Sequence, residues 1–569
     1  MRALTKSMGA GLVSLNKVLI AAGLALVVPA CATRTVPAGT EAASPRVTLS
    51  IVGTNDLHGG VGARNGRGGL AMLGGYLKNL RAVRARDGGA VLLIDAGDMF
   101  QGTLESNLGE GAPVVAAYNA LGYSAAAVGN HEFDFGPTGP AATPRSSADD
   151  PRGALKARAR EAKFPFLAAN LIDAATGGAV RWPNVQPSTI VDQAGIRVGI
   201  IGVMTRGALS ATIAANVGGL SIAPLAETIR THATALRADG AHVVVVTAHA
   251  GGRCTQFDRP DDLSSCEPNG EIFAVARELP RGLVDAIVAG HSHAPVGHRV
   301  EGIPITEAYS NGRAFGRIDL SIDRAAKKVV DTRSFPPVDL VAADYEGAPV
   351  TPDAAIDAVL APALDAVRVV RSRPIGIALD MPIRRLSPIS PLGQLFTDAM
   401  LAFVPGADVA LNNSGGGLRA DLPAGPVTFG SVYEVMPFDN LIVSIRLTGR
   451  ELRQVFAAYV PRGRVLGFSG VRVRARCAAG AAEITMTRPS GITIADDESL
   501  LVVVSDFVAT GGDGILTRVT PSGGFSIDHG APLLRDAFAD YLSRLKDPLR
   551  EEALLEAGTR QLDSDCAPK

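Results

Sequence analysis

The sequence has almost no excess of charge of either sign. Its 55 lysines and arginines offset 56 aspartates and glutamates, which leaves a formal net charge of −1. Such a chain has no bulk attraction to nucleic acid polymers or to anionic membrane surfaces, so an anionic ligand must be bound by a local site. Charged residues make up 20% of the chain and apolar residues 47%, a balance that excludes the disordered class and indicates a globular protein.

A long apolar run is also missing from the N-terminus. The run from Val18 to Val28 is too short to cross a bilayer as a mature helix. Basic residues precede it at Arg2, Lys6 and Lys17, which is the arrangement around a signal-peptide core. We therefore expect residues 1–30 to be a signal peptide and the protein to be exported.

The apolar run ends in Val28-Pro29-Ala30-Cys31, which resembles a bacterial lipobox, although Pro29 fits that pattern poorly. The resemblance implies that Cys31 is acylated and anchors a lipoprotein that does not span the membrane. The alternative is ordinary signal cleavage nearby, with Cys31 incidental. Residues 31–45, rich in Ala, Thr and Pro, are expected to form a flexible tether. Ala32 stands where an aspartate often signals inner-membrane retention, so the periplasm or the outer membrane is the expected location.

Cysteine is scarce, and no C-x-x-C spacing occurs among its five copies. This absence argues against a structural zinc site built from thiolates. Without Cys31 an even number remains, and export would place those residues in an oxidising compartment. Cys254 and Cys266 flank a polar loop, which favours a loop-closing disulfide, and Cys477 would then pair with Cys566 by elimination.

Short apolar runs alternate with polar turns and helical stretches between Val47 and about Leu340. Stretches such as Leu70 to Arg86 and Pro224 to Ala238 are predicted to be amphipathic helices. The alternation indicates a layered α/β domain. The runs predicted to be buried strands are Val47 to Val52, Ala90 to Ile94, Ala125 to Val128, Phe166 to Ala168, Val198 to Val203, His242 to Thr247 and Ala286 to Val288.

A chain of 569 residues exceeds what one hydrophobic core usually serves, so two domains are expected. The first should cover residues 46–340, a linker helix should lie within 341–372, and the second domain should cover 373–569. The predicted elements after Pro336-Pro337 are helices Thr351 to Arg371, Gly393 to Phe403 and Gly449 to Tyr459, with strands Val409 to Asn412, Leu441 to Leu447 and Leu500 to Phe507.

Seven potential metal ligands come just after five of the predicted strands. They are Asp56, His58, Asp98, Asn130, His249, His291 and His293. Side chains at the carboxyl ends of neighbouring strands meet at one edge of a sheet. Aspartate and histidine suit Zn²⁺, Mn²⁺ or related ions, and two such ions sharing one carboxylate, for which Asp98 is the obvious candidate, activate water toward phosphorus. The pattern predicts a two-metal hydrolase of phosphate esters.

The remaining histidines are expected to be ordinary core or surface residues. They are His232, His242, His298 and His529. Glu132 is interpreted in the same way, as a surface acid. Asn130 could be a simple turn residue, but its position directly after a strand favours a ligand.

The clusters Asp56-x-His58, Gly97-Asp98, Gly129-Asn130-His131-Glu132, His249 and Gly290-His291-Ser292-His293 resemble the motif series of calcineurin-like metallophosphoesterases. The longer string from Gly129 to Asp134 is similar to that of the bacterial and animal 5'-nucleotidases and their UDP-sugar hydrolase relatives. The resemblance implies a four-layer α/β sandwich followed by a substrate-binding domain. One metal would take Asp56, His58, Asp98 and His293, and the other Asp98, Asn130, His249 and His291. Many family members carry glutamine where His293 stands.

The resemblance also implies that His131 is a catalytic residue and not a metal ligand. Asp134, three residues later, would orient its imidazole and keep it protonated. His131 would then stabilise charge that develops on the phosphoryl oxygens or the leaving group.

Three C-terminal segments resemble the substrate domain of the same family. They are Asn413 to Arg419, Met436 to Asn440 and Phe507 to Gly514. By resemblance, Arg419 contacts phosphate, Phe438 and Phe507 stack on the base, Asp513 binds the ribose hydroxyls and Asn440 supports the base pocket. The family's upstream arginines correspond only loosely to Arg384 and Arg385.

The sequence therefore predicts an exported hydrolase with two divalent metal ions, acting on small nucleotides rather than on a nucleic acid polymer. The expected reaction releases phosphate from nucleoside 5'-monophosphates, with UDP-sugars or 2',3'-cyclic nucleotides as further substrates. One alternative keeps the fold and changes the ester, giving a broad phosphomonoesterase or a thiosulfohydrolase. Another is a surface lipoprotein that binds nucleotides without turnover. The resemblance further implies that the second domain rotates about the linker helix, while the oligomeric state is left open.

Overall fold

The structure is a computed structural model. It describes residues 45–569 except for 65, 386–389, 461–465, 479–480, 517–518, 520–523, 526, 528–531, 546–548, 552–553, 555–560 and 565–569. The predictions for the signal peptide, for Cys31, for nearly all of the tether and for Cys566 lie outside the described residues. The described residues fall within a single compact unit.

The first sheet of the N-terminal half has eight strands and a parallel centre. Its order is Lys328–Ser334, Ala314–Asp323, Arg46–Thr54, Ala90–Asp95, Ala125–Ala127, Phe166–Leu167 and Val185–Gln186, with Val338–Asp339 added on Ala314–Asp323. The five strands from Arg46–Thr54 to Val185–Gln186 run parallel, so their carboxyl ends lie along one edge.

The second sheet has six strands, in the order Pro295–Val300, Ile303–Ala308, Ala286–Ala289, Val243–His249, Ile196–Met204 and Ser188–Gln193. Its four inner strands are parallel. Apolar side chains of both sheets, including Ile51, Leu92, Ile200 and Val245, form one core between them. The small strands Leu171–Asp173, Gly178–Ala179 and Leu220–Ile222 form a separate sheet.

Helices cover the outer face of each sheet. Leu70–Asp87, Ala112–Leu121 and Gly153–Glu161 pack on the first sheet, while Leu225–Ala238 and Glu271–Glu278 pack on the second. The result is a helix, sheet, sheet, helix order, and the predicted four-layer α/β sandwich is confirmed. Short helices at Leu104–Asn107 and Ala214–Val217 lie in the connections.

A 19-residue helix, Ala354–Ser372, connects the two halves. Asp353 caps its N-terminus by accepting a hydrogen bond from the backbone N–H of Ala355. A short hairpin, Asp344–Tyr345 and Ala348–Pro349, precedes this helix. The helix begins three residues later than the sequence predicts and continues through Pro362.

The C-terminal half is a mixed α/β unit. Its four-stranded sheet has the order Ile442–Thr448, Ser499–Ser505, Val409–Asn412 and Gly467–Ser469, beside a pair Pro374–Leu379 and Gly425–Thr428 and a sheet of Ala481–Thr487, Arg472–Ala478 and Gln561–Ser564. Its helices are Pro391–Phe403, Ser414–Gly417, Phe429–Val435, Gly449–Tyr459, Asp506–Ala509 and Leu534–Ser543.

One sequence-based assignment in this half is wrong. The strand predicted to reach Phe507 ends at Ser505, whose side chain caps a short helix, Asp506–Ala509, that carries Phe507. The Gly-rich segment after Asn413 forms one helical turn, Ser414–Gly417.

Cys254 and Cys266 form a disulfide, as the sequence predicts. Cys477 is also disulfide-bonded, while its predicted partner, Cys566, lies outside the described residues. Among the residues that the structure describes, no helix combines the length and the apolar character needed to cross a membrane.

Candidate active site

The seven predicted ligands meet at one rim of the sandwich, where the parallel strands end. Asp56 follows Arg46–Thr54, Asp98 follows Ala90–Asp95, and Asn130 follows Ala125–Ala127. In the second sheet, His249 is the last residue of its strand and His291 follows Ala286–Ala289. Because the two sheets stack face to face, their carboxyl ends bring together positions far apart in sequence.

Two overlapping groups of donor atoms share Asp98. Asp56, His58, Asp98 and His293 form one group, and Asp98, His249 and His291 form the other, each with its donor atoms within 4.8 Å of one another. In the first group, Nε2 of His293 lies 3.3 Å from Oδ1 of Asp56. In the second, Nε2 of His249 lies 3.2 Å from Oδ2 of Asp98. The side-chain oxygen of Asn130 joins the second group, 3.0 Å from Nε2 of His249.

The backbone at this rim is strained. Five of the seven predicted ligands adopt the left-handed conformation that favours glycine, with φ of 49° at Asp56, 48° at His58, 58° at Asp98, 78° at His291 and 56° at His293. Each such residue costs on the order of 1–3 kcal/mol and persists only where the surrounding structure enforces it. Non-glycine residues in this conformation cluster at active sites, which agrees with the role predicted for this rim.

The donor set fits divalent cations. Nδ1 of His58 and Nδ1 of His249 each face a backbone carbonyl, of Gln101 and Ala96 respectively, at 2.9 Å. Donation to these carbonyls leaves the Nε2 lone pairs directed into the site, an arrangement typical of metal-bound histidine. Oδ1 of Asp56 is buried without a hydrogen-bond partner, which a cation would supply.

Charge at the rim agrees with this interpretation. Burial opposes ionisation of Asp56, but His293 outweighs it and lowers the pKa of Asp56 to about 2. Burial lowers the pKa of His58 well below its usual value, and His293 adds to the effect. Asp56 is therefore ionised and His58 neutral, the protonation states that metal ligands require. At His249 burial opposes charge, but nearby carboxylates, Asp98 first, raise its pKa to about 10, so a cation bound there would displace a proton.

Glu132 is not the surface acid that the sequence suggests. It is buried, and its carboxylate accepts the backbone N–H groups of Asp98 at 2.9 Å, Met99 at 2.7 Å and Gly129 at 2.6 Å. Burial and then the charge of Asp98 raise the pKa of Glu132 to about 8. Glu132 thus fixes the backbone of the two loops that carry Asp98 and Asn130. The prediction failed because burial of a loop residue depends on packing distant in sequence.

A second buried glutamate has no counterpart in the sequence analysis. Glu307 accepts hydrogen bonds from Oγ of Ser292 at 2.7 Å and from the N–H groups of Ser292 and Gly252 at 3.1 Å. Burial raises the pKa of Glu307 well above its usual value. It holds the loop that carries His291 and His293, and only its position in a buried strand could have drawn attention to it.

His131 and Asp134 form the predicted pair. Nδ1 of His131 lies 2.5 Å from Oδ2 of Asp134, whose other oxygen accepts from Oγ1 of Thr212 at 2.7 Å. Burial opposes charge on His131, but Asp134 and then Asp98 outweigh it and raise its pKa. Nη2 of Arg419 lies 3.0 Å from Nε2 of the same imidazole, so the C-terminal half contacts His131 directly.

One cavity of about 320 Å³ adjoins the rim. The N-terminal half contributes Asp98, Asn130, His131, Asp134, His291 and His293 to its walls, and the C-terminal half contributes Arg419, Phe438, Asn440, Phe507 and Asp513. All five predicted substrate residues therefore face the predicted metal centre. This volume lies at the lower end of the range for small-molecule sites.

The substrate-side residues differ in how they are held. Asn440 is buried and donates from Nδ2 to Asp506 at 2.7 Å, so it stabilises the loop that carries Phe438. Asp513 is exposed and accepts from Nδ2 of Asn413 at 2.8 Å. Arg384 pairs with Glu551 away from this cavity, whereas Arg385 lines a second cavity beside Arg419 and His58.

Comparisons with known proteins agree with this architecture. The family model "Calcineurin-like phosphoesterase" matches residues 49–295, and the model "5'-nucleotidase, C-terminal domain" matches residues 379–519. The chain is 27% identical over 537 residues to a 5'-nucleotidase of Vibrio cholerae, covering 88% of this chain and 91% of that protein. It is 28% identical over 485 residues to Endonuclease YhcR of Bacillus subtilis, covering 82% of this chain but only 37% of that longer protein.

Among solved structures, the fold is similar to a 5'-nucleotidase precursor from Thermus thermophilus. The TM-score is 0.69 at 26% sequence identity, and the similarity covers 91% of this chain and 99% of the other.

Proposed function

We propose that the protein releases phosphate from nucleoside 5'-monophosphates, on the premise that the chain belongs to the 5'-nucleotidase family and contains the calcineurin-like phosphoesterase domain of metal-dependent hydrolases. The observation that carries the proposal is the shared cavity. Residues suited to hold metals form one wall, and an arginine, two phenylalanines and an aspartate form the other. This combination matches a ligand with phosphate at one end and an aromatic base at the other.

The proposed metal ligands are the seven predicted ones, in two sets that share Asp98. Bound divalent ions, Zn²⁺, Mn²⁺ or similar, would act as Lewis acids and lower the pKa of water. The protein's part is to fix the donor atoms. Glu132 and Glu307 do so by holding the backbone of the ligand loops through buried hydrogen bonds.

His131 is proposed as the catalytic residue that moves a proton or stabilises developing charge. Its Nδ1 faces Asp134, which fixes the ring so that Nε2 points into the cavity. Asp134 favours the protonated ring, and Arg419 opposes it. Once a phosphate lies between His131 and Arg419, both side chains can donate to its oxygens instead of facing each other.

Phe438 and Phe507 are proposed to stack on the base, while Asp513 accepts hydrogen bonds from the ribose hydroxyls. The exposed position of Asp513 and the partly buried rings suit contacts to a ligand. UDP-sugars and 2',3'-cyclic nucleotides are proposed as further substrates, because both combine a base with a phosphate ester. In the cyclic nucleotides the phosphate occupies the ribose hydroxyls, so Asp513 would have no hydroxyl donor there.

A panel of substrates tests the proposal. We expect phosphate release from AMP to be lost with a chelator and restored by added Mn²⁺, and to exceed release from ribose 5-phosphate, which lacks a base. UDP-glucose and p-nitrophenyl phosphate extend the panel. No chelator-sensitive release from any of these compounds would refute the enzymatic proposal, whereas equal rates with and without a base would refute nucleotide selectivity.

We also propose that the protein is exported and anchored through Cys31. The apolar run from Val18 to Val28 and the following cysteine support this idea. Mass spectrometry of the mature N-terminus from a bacterial host should find an acylated Cys31, and Cys31→Ser should release the protein from membranes. An unmodified N-terminus elsewhere would contradict the anchor.

A further inference from the structure

Two side-chain amides of the N-terminal half converge on one carbonyl of the C-terminal half. Nε2 of Gln101 donates to the carbonyl oxygen of Pro437 at 2.8 Å, and Nδ2 of Asn107 donates to the same oxygen at 3.0 Å. Pro437 directly precedes Phe438. None of the motifs singled out in the sequence includes either amide.

Both donors are themselves held in place. The backbone carbonyl of Gln101 faces Nδ1 of His58 at 2.9 Å, and its side chain is buried. Oδ1 of Asn107 accepts the N–H of Gly102 at 3.1 Å, and Asn107 ends a helical turn capped by Thr103. The Pro437 carbonyl is therefore held by the same loop that positions His58 at the rim.

Holding this carbonyl has a direct effect on Phe438. The carbonyl of Pro437 and the N–H of Phe438 belong to one planar peptide unit. Holding the oxygen therefore also restricts the position of the Phe438 nitrogen and Cα. The ring then lies with its centroid 5.8 Å from that of His131. On the other side of the loop, Arg535 donates to the carbonyl of Phe438 at 3.1 Å and to Asp439 at 2.7 Å. The loop is thus bound to its own half by Arg535 and to the N-terminal half by the two amides.

We propose that Gln101 and Asn107 are positioning residues that set the distance between Phe438 and the metal rim, and so select esters with the length of a nucleoside monophosphate. The inference rests on the proposed function. It goes further by assigning part of the selectivity to two residues of the N-terminal half that line the same cavity and hold the loop of Phe438. A phosphate ester without a base makes no use of Phe438 and is insensitive to this distance.

The test removes both donors without adding charge to the cavity. Gln101→Met has nearly the same shape and leaves the backbone carbonyl that His58 faces. Asn107→Leu also keeps the shape, and loses only the acceptor for the N–H of Gly102 in addition to the donor. Loss of two such hydrogen bonds should lower the ratio of kcat/KM for AMP to that for ribose 5-phosphate by about tenfold in the double variant, mainly through KM for AMP. The kcat for ribose 5-phosphate should stay within about twofold, because the rim is unchanged.

Asn119→Ala is the matched control. Asn119 also donates from a side-chain amide to a carbonyl, that of Glu161 at 2.9 Å, but far from the cavity. It should leave the ratio unchanged. Adenosine binding, measured by calorimetry on metal-loaded protein, should weaken in the double variant and not in the control, which gives a readout independent of turnover.

Each other outcome overturns the inference. An unchanged ratio and unchanged adenosine affinity would show that the carbonyl of Pro437 needs no support. Equal losses on AMP and ribose 5-phosphate would show a general structural role. If the unaltered protein releases no phosphate from AMP, the proposed function fails and this inference fails with it, and that result is distinct from an active enzyme with an insensitive ratio.

Discussion

The two walls of the cavity are held in place in different ways. On the metal side, Asp56, Asp98 and His249 are at most 1% exposed, and strained backbone is stabilised by buried carboxylates such as Glu132. On the substrate side, Phe438 and Phe507 are partly exposed and Asp513 is exposed. Their loops have ordinary backbone apart from Asp513, whose φ is 52°.

This difference separates chemistry from recognition. Ligand geometry needs atoms fixed within a few tenths of an ångström, and the ends of parallel strands in two stacked sheets provide that rigidity. A stacking ring tolerates more movement, so a loop with a few hydrogen bonds is enough. Changes to His131 or to the residues that orient the metal ligands should therefore reduce turnover of every ester. Changes to Phe438 and Phe507, which face the base, should act on nucleotides only.

His131→Ala should have the largest effect of the substitutions considered. Loss of a positioned proton donor lowers kcat by roughly 10²- to 10⁴-fold, on AMP and ribose 5-phosphate alike. Metal content, measured by elemental analysis, should be unchanged because His131 is not a proposed ligand. His232→Ala, on the helix Leu225–Ala238, is the control. A wild-type rate in His131→Ala would remove the residue from the mechanism.

Glu132→Gln should have an intermediate effect on both esters. The amide group of glutamine would face backbone N–H groups that the carboxylate now accepts, so the loops carrying Asp98 and Asn130 should shift. Disruption of groups that orient metal ligands typically costs about 10- to 100-fold in metal affinity or activity. Titration with Mn²⁺ should reveal the weaker affinity, with the exposed Glu227→Gln as control. Unchanged affinity and rate would show that the loops hold their shape without Glu132.

Phe438→Ala should have the smallest effect and the most selective one. Stacking on a base contributes about 1–3 kcal/mol, and Phe507 would keep its half of the proposed stack. KM for AMP should therefore rise by about five- to tenfold, the lower end of that range. Ribose 5-phosphate should be hydrolysed as before. Phe403→Ala, at a partly exposed helix end, controls for general loss of an aromatic side chain. Equal losses on both esters would contradict the separation of the two walls.

The layered fold and the grouping of the seven proposed ligands could be predicted from the sequence. Each ligand stands next to a short apolar strand, and parallel strands in neighbouring positions must end at the same edge. The sequence also predicts the bounds of the N-terminal strands and of the long helices to within a few residues, because the periodicity that marks these elements is local.

The contacts that support the site could not be predicted. Glu132, Glu307 and Gln101 act through hydrogen bonds to backbone far away in sequence, and a single Glu or Gln carries no periodic signal. The apolar run from Leu500 continues to Phe507 and so predicts a strand there. The helix cap at Ser505, which ends the strand, is visible only in the folded chain. Local pattern thus predicts the elements, and tertiary packing decides how they are joined.

The wide sequence separation of the rim residues has a consequence for how the protein acquires its metals. Asp56 and His293 come within 3.3 Å only after both sheets have formed and stacked. An unfolded chain offers no such site, and pairing between distant segments is slow. The proposed site is complete only in the folded chain, so the ions would be taken up in the compartment where folding ends. The metal found in the native protein should report the ion supply of that compartment.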